Sequence, residues 1–193
     1  MAAKKDTLIN MFVALFVICV VSGGVLGVVY NATKEPIAAA ETAKKTEAIK
    51  NVLPEFETLK DITVKSAVAG EDAEIPFYLA YDADNNFIGA AVETFTNKGF
   101  SGNISLMVGI LADGTLKNIS VLQHAETPGL GSKMSEPAFK DQFNDKRADS
   151  FNFKVKKDGG DVDAITAATI SSRAFCDAVN RALLTFENNK GGF

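Results

Sequence analysis

The sequence predicts an α+β protein: a single N-terminal transmembrane helix, then one extracytoplasmic domain with a mainly antiparallel twisted sheet flanked by helices. Three observations carry that expectation. Leu8 to Tyr30 is a run of 23 residues without a charged side chain. Two pairs of strand-like segments flank polar turns, Asp82-Ala83-Asp84-Asn85-Asn86 and Asp113-Gly114. The C-terminal stretch repeats apolar residues at three- and four-residue spacing. Strands joined by short turns pair antiparallel, and an amphipathic helix needs an apolar surface to cover.

A bilayer core takes roughly 20 apolar residues in a helix, so Leu8 to Tyr30 is long enough to span it. Lys4 and Lys5 precede the run and argue for a cytoplasmic N-terminus, which leaves the domain on the extracytoplasmic or periplasmic side. Lys34, Lys44, Lys45 and Lys50 follow it, but long translocated domains weaken the charge rule. A cleaved secretory signal is the competing reading. The run exceeds the roughly 7 to 15 residues of a signal's apolar region and lacks a small-x-small site directly behind it. Gly23 and Gly27 stand four apart and offer a small-residue face to a partner helix. Thr33 to Val52, rich in Ala and Lys, reads as a connecting helix that Pro54 stops. The resulting division is a cytoplasmic N-terminus over 1–7, a transmembrane helix over 8–30, a connecting helix over 31–55 and a folded domain over 56–193.

Within the domain, Phe77 to Tyr81 and Phe87 to Phe95 form the first expected hairpin. Ser105 to Leu111 and Leu116 to Gln123 form the second, around the stronger Asp-Gly turn signal. A short helix is expected from Ser135, as its cap, to Phe143, with Phe139 and Phe143 on one face. Phe151 to Lys156 alternates like a strand, and Asp158-Gly159-Gly160 turns the chain. The last helix buries Ala174, Phe175, Ala178, Val179, Ala182, Leu183 and Phe186, with Arg173, Asp177, Asn180 and Arg181 between them. Its first turn falls near Thr169 to Ser172.

Composition excludes several classes. A net charge of -4 over 193 residues, with charges of both signs spread along the chain, does not point to a nucleic-acid partner. The two cysteines, Cys19 in the apolar run and Cys176 in the last helix, lack metal-ligand spacing and read as packing residues. His124 is the only histidine, so no histidine cluster can hold zinc. Asp82-x-Asp84-x-Asn86 with Glu93 imitates a calcium loop, but Phe87 stands where that loop needs glycine. No Walker or GxGxxG phosphate loop is present.

What remains is Asp163-Ala164-Ile165-Thr166-Ala167-Ala168-Thr169-Ile170-Ser171-Ser172, small residues and hydroxyls set directly before the amphipathic helix. Free N–H groups and the positive end of the helix dipole favour an anion such as phosphate there, and Ala167 and Ala168 leave room for a bulky ligand. The plain alternative is a Ser/Thr helix cap. Two glycine-bearing loops, Asn97 to Asn103 and Glu126 to Ser132, are either ordinary turns or parts of a site built on a rigid sheet.

Gly99-Phe100-Ser101-Gly102, Val108-Gly109-Ile110, Glu126-Thr127-Pro128-Gly129-Leu130-Gly131 and Asp163 to Thr169, in this order, resemble the FMN-binding domain of the G subunit of the Rnf ion-translocating electron-transport complex. The resemblance spans the anchor and nearly the whole domain, and makes 56–193 an FMN-binding domain. The chain is also similar to the C subunit of the sodium-pumping NADH:quinone reductase, which is usually longer. The resemblance implies one covalent FMN per chain, joined by a phosphoester to Thr169 by a separate flavin transferase. It implies that Thr166, Ser171 and nearby N–H groups bond the phosphate, with Ala167 and Ala168 beside it. The ring would rest on the loop with Glu126, Thr127, Gly129, Leu130 and Gly131, near Gly102. Ala167 departs from the family's usual glycine, and is strained if that position needs positive φ. The implied role is electron transfer in a membrane complex with iron-sulfur and membrane subunits, coupling ferredoxin:NAD oxidoreduction to Na+ or H+ translocation. No catalytic residue and no metal ligand is assigned to this chain. The alternatives are a C-type flavin subunit, or a membrane-tethered extracytoplasmic binding or assembly module without a redox cofactor.

Overall fold

The computed structural model describes residues 7–68 and 72–193, so Lys4 and Lys5, which carried the expected orientation, lie outside the described residues. The chain divides into two units, Met1–Ala43 and Lys44–Phe193. Helix α1 (Leu8–Val52) is continuous for 45 residues and has Pro36 inside it. By length and composition it can cross a membrane. The expected spanning helix over 8–30 and the connecting helix from 31 run on as one helix. Pro36 removes one donor and crowds the carbonyl four residues before it, but the Ala, Lys and Glu around it are strong helix formers and the ladder resumes. The helix stops just before Pro54, which disfavours helical dihedrals at Leu53.

The second unit is built on a five-stranded antiparallel sheet in the order β1-β2-β3-β4-β5. Its strands are β1 (Thr58–Lys65), β2 (Glu74–Tyr81), β3 (Phe87–Gly99), β4 (Gly102–Leu111) and β5 (Leu116–His124). Both expected hairpins form, as β2–β3 and β4–β5. β1 was not expected, because only Leu59, Ile62 and Val64 are half-buried in it and its pattern is weak. The segment from Asn97 to Asn103 takes the form of a plain turn, shorter than the loop expected there. It is a tight turn at Phe100 and Ser101, with Gly99 paired to Gly102 across a bulge, because both strands continue into it.

The register lines up Phe77, Val92, Val108 and Ile119 across four strands on one face, all at most 1 % exposed. Helix α3 (Thr169–Asn189) covers that row with Ala174, Phe175, Ala178, Val179, Ala182 and Phe186. The hydroxyl of Thr94 reaches across and donates to the carbonyl of Ala178 at 3.0 Å. The opposite face carries small residues in register, Ala91 and Gly109, and receives Ala48, Ile49 and Val52 from the end of α1. Alternation of side chains thus yields two cores, one on each face of the sheet.

Two expected elements change form. The Ser135–Phe143 helix is a 3-10 turn (Gly131–Ser135), a short α2 (Pro137–Lys140) and another 3-10 turn (Asp141–Phe143). Ser135 does not cap it: Glu136 holds the N-cap position without a side-chain bond and Pro137 opens the helix, its missing N–H costing nothing there. Phe139 and Phe143 are buried as expected, against Phe175 at centroid distances of 5.2 and 5.0 Å. Phe151 to Lys156 is not a strand. Phe153 and Val155 point inward, which creates the alternation, but the backbone has only the isolated bridge Val155–Val162 and a 3-10 turn at Lys156–Asp158.

Candidate functional site

The approach to α3 is a stapled turn. Gln142 brackets Asp163, donating to its carbonyl at 3.2 Å and accepting its N–H at 2.8 Å. Ala168 N–H donates to the Ile165 carbonyl at 3.0 Å, closing a four-residue turn whose third position, Ala167, has φ 61°. That conformation suits glycine, and an alanine there carries strain of about 1–2 kcal/mol. Ser172 locks the turn from inside the helix. Its hydroxyl accepts the Ile165 N–H at 2.9 Å and donates to the Ala168 carbonyl at 3.0 Å.

The capping alternative fails at α3. The N-cap residue is Ala168 and no side chain caps the helix, so Thr169 is the first helical residue and the first-turn amides lack an intrahelical acceptor. Thr169 is half-exposed and lines a cavity of about 330 Å³. Ala167, Ala168, Ile170 and Ser171 form one wall, and Glu126, Thr127, Leu130 and Gly131 another. Phe100 completes it from the β3–β4 turn. Three large apolar side chains stand out of the core at this one cavity: Phe100, Leu130 and Ile170, at 68 %, 42 % and 49 % exposure.

Eight of the eleven expected residues therefore meet: Thr169, Ala167, Ala168, Ser171, Glu126, Thr127, Leu130 and Gly131. Thr166 does not. It lines a separate concavity with Lys133, Gln142 and Asp163, because the turn at Ala167 reverses the chain between it and Thr169. Gly129 and Gly102 serve the backbone instead, at φ 76° and 107°. Ser171 is at the site, but its hydroxyl donates to Glu126 Oε2 at 2.5 Å, so its proton is committed there and not to an anion. Phe100 and Ile170 were missed. Phe100 was legible as a large apolar residue in a glycine turn, whereas the helical stripe would have buried Ile170 with Ala174 and Ala178.

A larger concavity of about 480 Å³ lies on the other side of Ile170. Its charges are largely paired: Arg173 makes two bonds of 2.7 Å to Asp158, and Lys98 reaches Asp177 at 2.6 Å. Burial pushes the Asp177 carboxyl up, but hydrogen bonds from Lys98 and Thr96 and the nearby cations outweigh it and hold it below the usual carboxylate range. The Cys176 thiol at the base is pushed up to about 12 by burial and is no nucleophile at neutral pH. No group of His, Cys, Asp and Glu among the described residues could hold a metal ion.

Residues 99–184 match the family described as FMN-binding domain. The chain is 35 % identical over 182 residues to the G subunit of the ion-translocating oxidoreductase complex of Shewanella amazonensis, covering 86 % of this chain and 81 % of that one. It is 33 % identical over 176 residues to the G subunit of the complex of the same name from Methanosarcina acetivorans, covering 90 % and 92 %. The crystal structure of the C subunit of the Na+-translocating NADH-quinone reductase from Parabacteroides distasonis superposes with a TM-score of 0.53 at 20 % identity, over 75 % of this chain and 81 % of that one. That last likeness is one of fold.

Proposed function

The chain belongs to the family of G subunits of the ion-translocating oxidoreductase complex, and from that premise we propose that it is a membrane-anchored electron carrier with one FMN joined covalently to Thr169. The single observation that carries the attachment is Thr169 at the first position of an uncapped helix, half-exposed at the mouth of an apolar-rimmed cavity. The residues fit the group. First-turn amides and the helix dipole suit a phosphodiester, and Phe100, Leu130 and Ile170 offer contact to an aromatic ring system. FMN supplies the redox chemistry when bound, and the chain supplies its place and its surroundings.

Attachment makes one bond and breaks one. The Thr169 Oγ–P bond forms as the pyrophosphate bond of a flavin dinucleotide breaks, and the nucleoside monophosphate leaves with the threonine proton. No base for that proton lines the cavity except the already engaged Glu126, which supports a separate flavin transferase as the catalyst. The partners are the other membrane and iron-sulfur subunits of the complex, which couples ferredoxin:NAD oxidoreduction to Na+ or H+ translocation. In this reading α1 spans the membrane once, with its N-terminus in the cytoplasm and Lys44–Phe193 outside it. A role as the C subunit of the quinone reductase is less supported, since that likeness is 20 % against 33–35 % for the G subunits.

Intact mass of the chain made in cells with the flavin transferase tests the reading. A gain of one FMN less water, lost in Thr169→Ala, is expected. An unshifted wild-type mass would sink it and favour a tethered binding module without a redox cofactor.

A further inference from the structure

Glu126 is 5 % exposed, yet its carboxylate joins two separate pieces of the site, and its backbone is tied to a third. Oε1 accepts the Ser101 N–H at 2.9 Å, from the β3–β4 turn. Oε2 accepts the Ser171 hydroxyl at 2.5 Å, from the first turn of α3. Its own N–H donates to His124 Nδ1 at 3.2 Å, which anchors the residue to the end of β5. Two glycines make the approach possible. A Cβ on Gly131 would come within 2.6 Å of Oε2, and a Cβ on Gly99 within 2.7 Å of Oε1.

We propose that Glu126 is a positioning residue of the flavin seat, whose carboxylate ties the Ser101 turn to Ser171 so that Thr169 and the first-turn amides of α3 face the cavity. The inference rests on the FMN reading of Thr169. Both partners of the carboxylate are donors, so the position calls for two acceptors, which an ionised carboxylate has and an amide lacks. With glutamine, either the Ser101 amide faces an NH2 group or Ser171 must turn its proton elsewhere. Ser171 lies two residues beyond Thr169, so any slackening of this bond reaches the attachment point directly. The carboxylate has a second consequence. A fixed negative charge in the wall of the cavity opposes the addition of electrons there, and so lowers the potential of a flavin bound in it.

The full chain in detergent, made with and without the flavin transferase, tests this in wild-type, E126Q and S171A forms. E126Q is expected to take up FMN about tenfold more slowly, the scale of one lost charge-assisted hydrogen bond. Its flavin is expected to show a higher midpoint potential than wild type. S171A keeps the charge, so uptake slows while the potential stays at the wild-type value. Wild-type uptake or a wild-type potential in E126Q overturns the proposal. Amide hydrogen exchange over 167–172 in the flavin-free chain gives an independent readout. It is expected to speed up in S171A, and unchanged exchange there overturns the proposal even where E126Q does not fold. A wild-type chain that takes up no FMN refutes the reading of Thr169 instead, and the exchange comparison still decides the role of Glu126.

Discussion

The carbonyl oxygen of Val52, the last residue of α1, occupies the space into which a Cβ on Gly109 would project. The end of the helix therefore lies directly on the backbone of β4, and the Asn118 amide on β5 fixes it there by donating to the Asn51 carbonyl at 2.9 Å. Gly109→Ala is expected to push this end off the sheet and destabilise Lys44–Phe193 by ~1–3 kcal/mol, the usual scale for overpacking. Denaturant unfolding of the full chain in detergent, followed by far-UV circular dichroism, measures it. An unchanged midpoint would show that the helix end yields freely.

Ala167, at φ 61°, gives the next test. Ala167→Gly is expected to raise stability by ~0.5–1 kcal/mol, the relieved strain partly offset by a more flexible unfolded chain. A rise of a few degrees in the melting temperature, with FMN uptake at least as fast as wild type, is the expected result. Ala167→Val, with a branched Cβ in the same conformation, should lower both.

The rim of the cavity should govern how much solvent the flavin meets. Replacing Phe100, Leu130 and Ile170 by serine, in the chain that keeps Thr169, is expected to preserve the mass gain. Collisional quenching of flavin fluorescence by iodide should rise, since the apolar contacts are gone. Quenching equal to wild type would place the ring elsewhere on the surface.

Acid should weaken the contact between α3 and the end of β3. The Asp177 carboxyl is held below its usual range in the fold, so its stabilisation is complete above the unfolded value, near pH 4, and is lost as pH falls through the folded value. Unfolding midpoints measured from pH 6 to pH 3 should fall less steeply in Asp177→Asn than in wild type. Parallel slopes would remove Asp177 from the account.

Cys176 should be inert in the native protein. It is 3 % exposed with a thiol pushed up to about 12, so iodoacetamide at pH 8 is expected to leave it unmodified in a Cys19→Ser chain until denaturant is added. Prompt labelling before unfolding would mean that α3 opens locally.

Much of the fold was legible along the chain because it rests on local patterns. Asp113-Gly114 between two alternating runs announced a hairpin, and Gly114 adopts the φ of 89° that its turn requires. The stripe from Ala174 to Phe186 announced a helix with one buried side, and that side meets the sheet. The alternation at Phe151 to Lys156 misled because burial on one side of an irregular segment leaves the same trace as a strand. At the site, the order of the glycine motifs pointed to loops that the fold brings to one cavity, but could not distribute tasks among their residues.

The sequence by itself determined the long apolar helix, the two hairpins, the amphipathic C-terminal helix and the place of Thr169 at its start. Each depends on residues within a few positions of one another, whose dihedral preferences and spacing act locally. The tertiary structure alone decided that Glu126 would clasp Ser171, 45 positions away in the chain. It also brought Phe100 and Ile170 to one rim and turned Thr166 aside. Those choices depend on which residues the sheet register and the packing of α3 bring within reach of one another, and no local pattern carries that information.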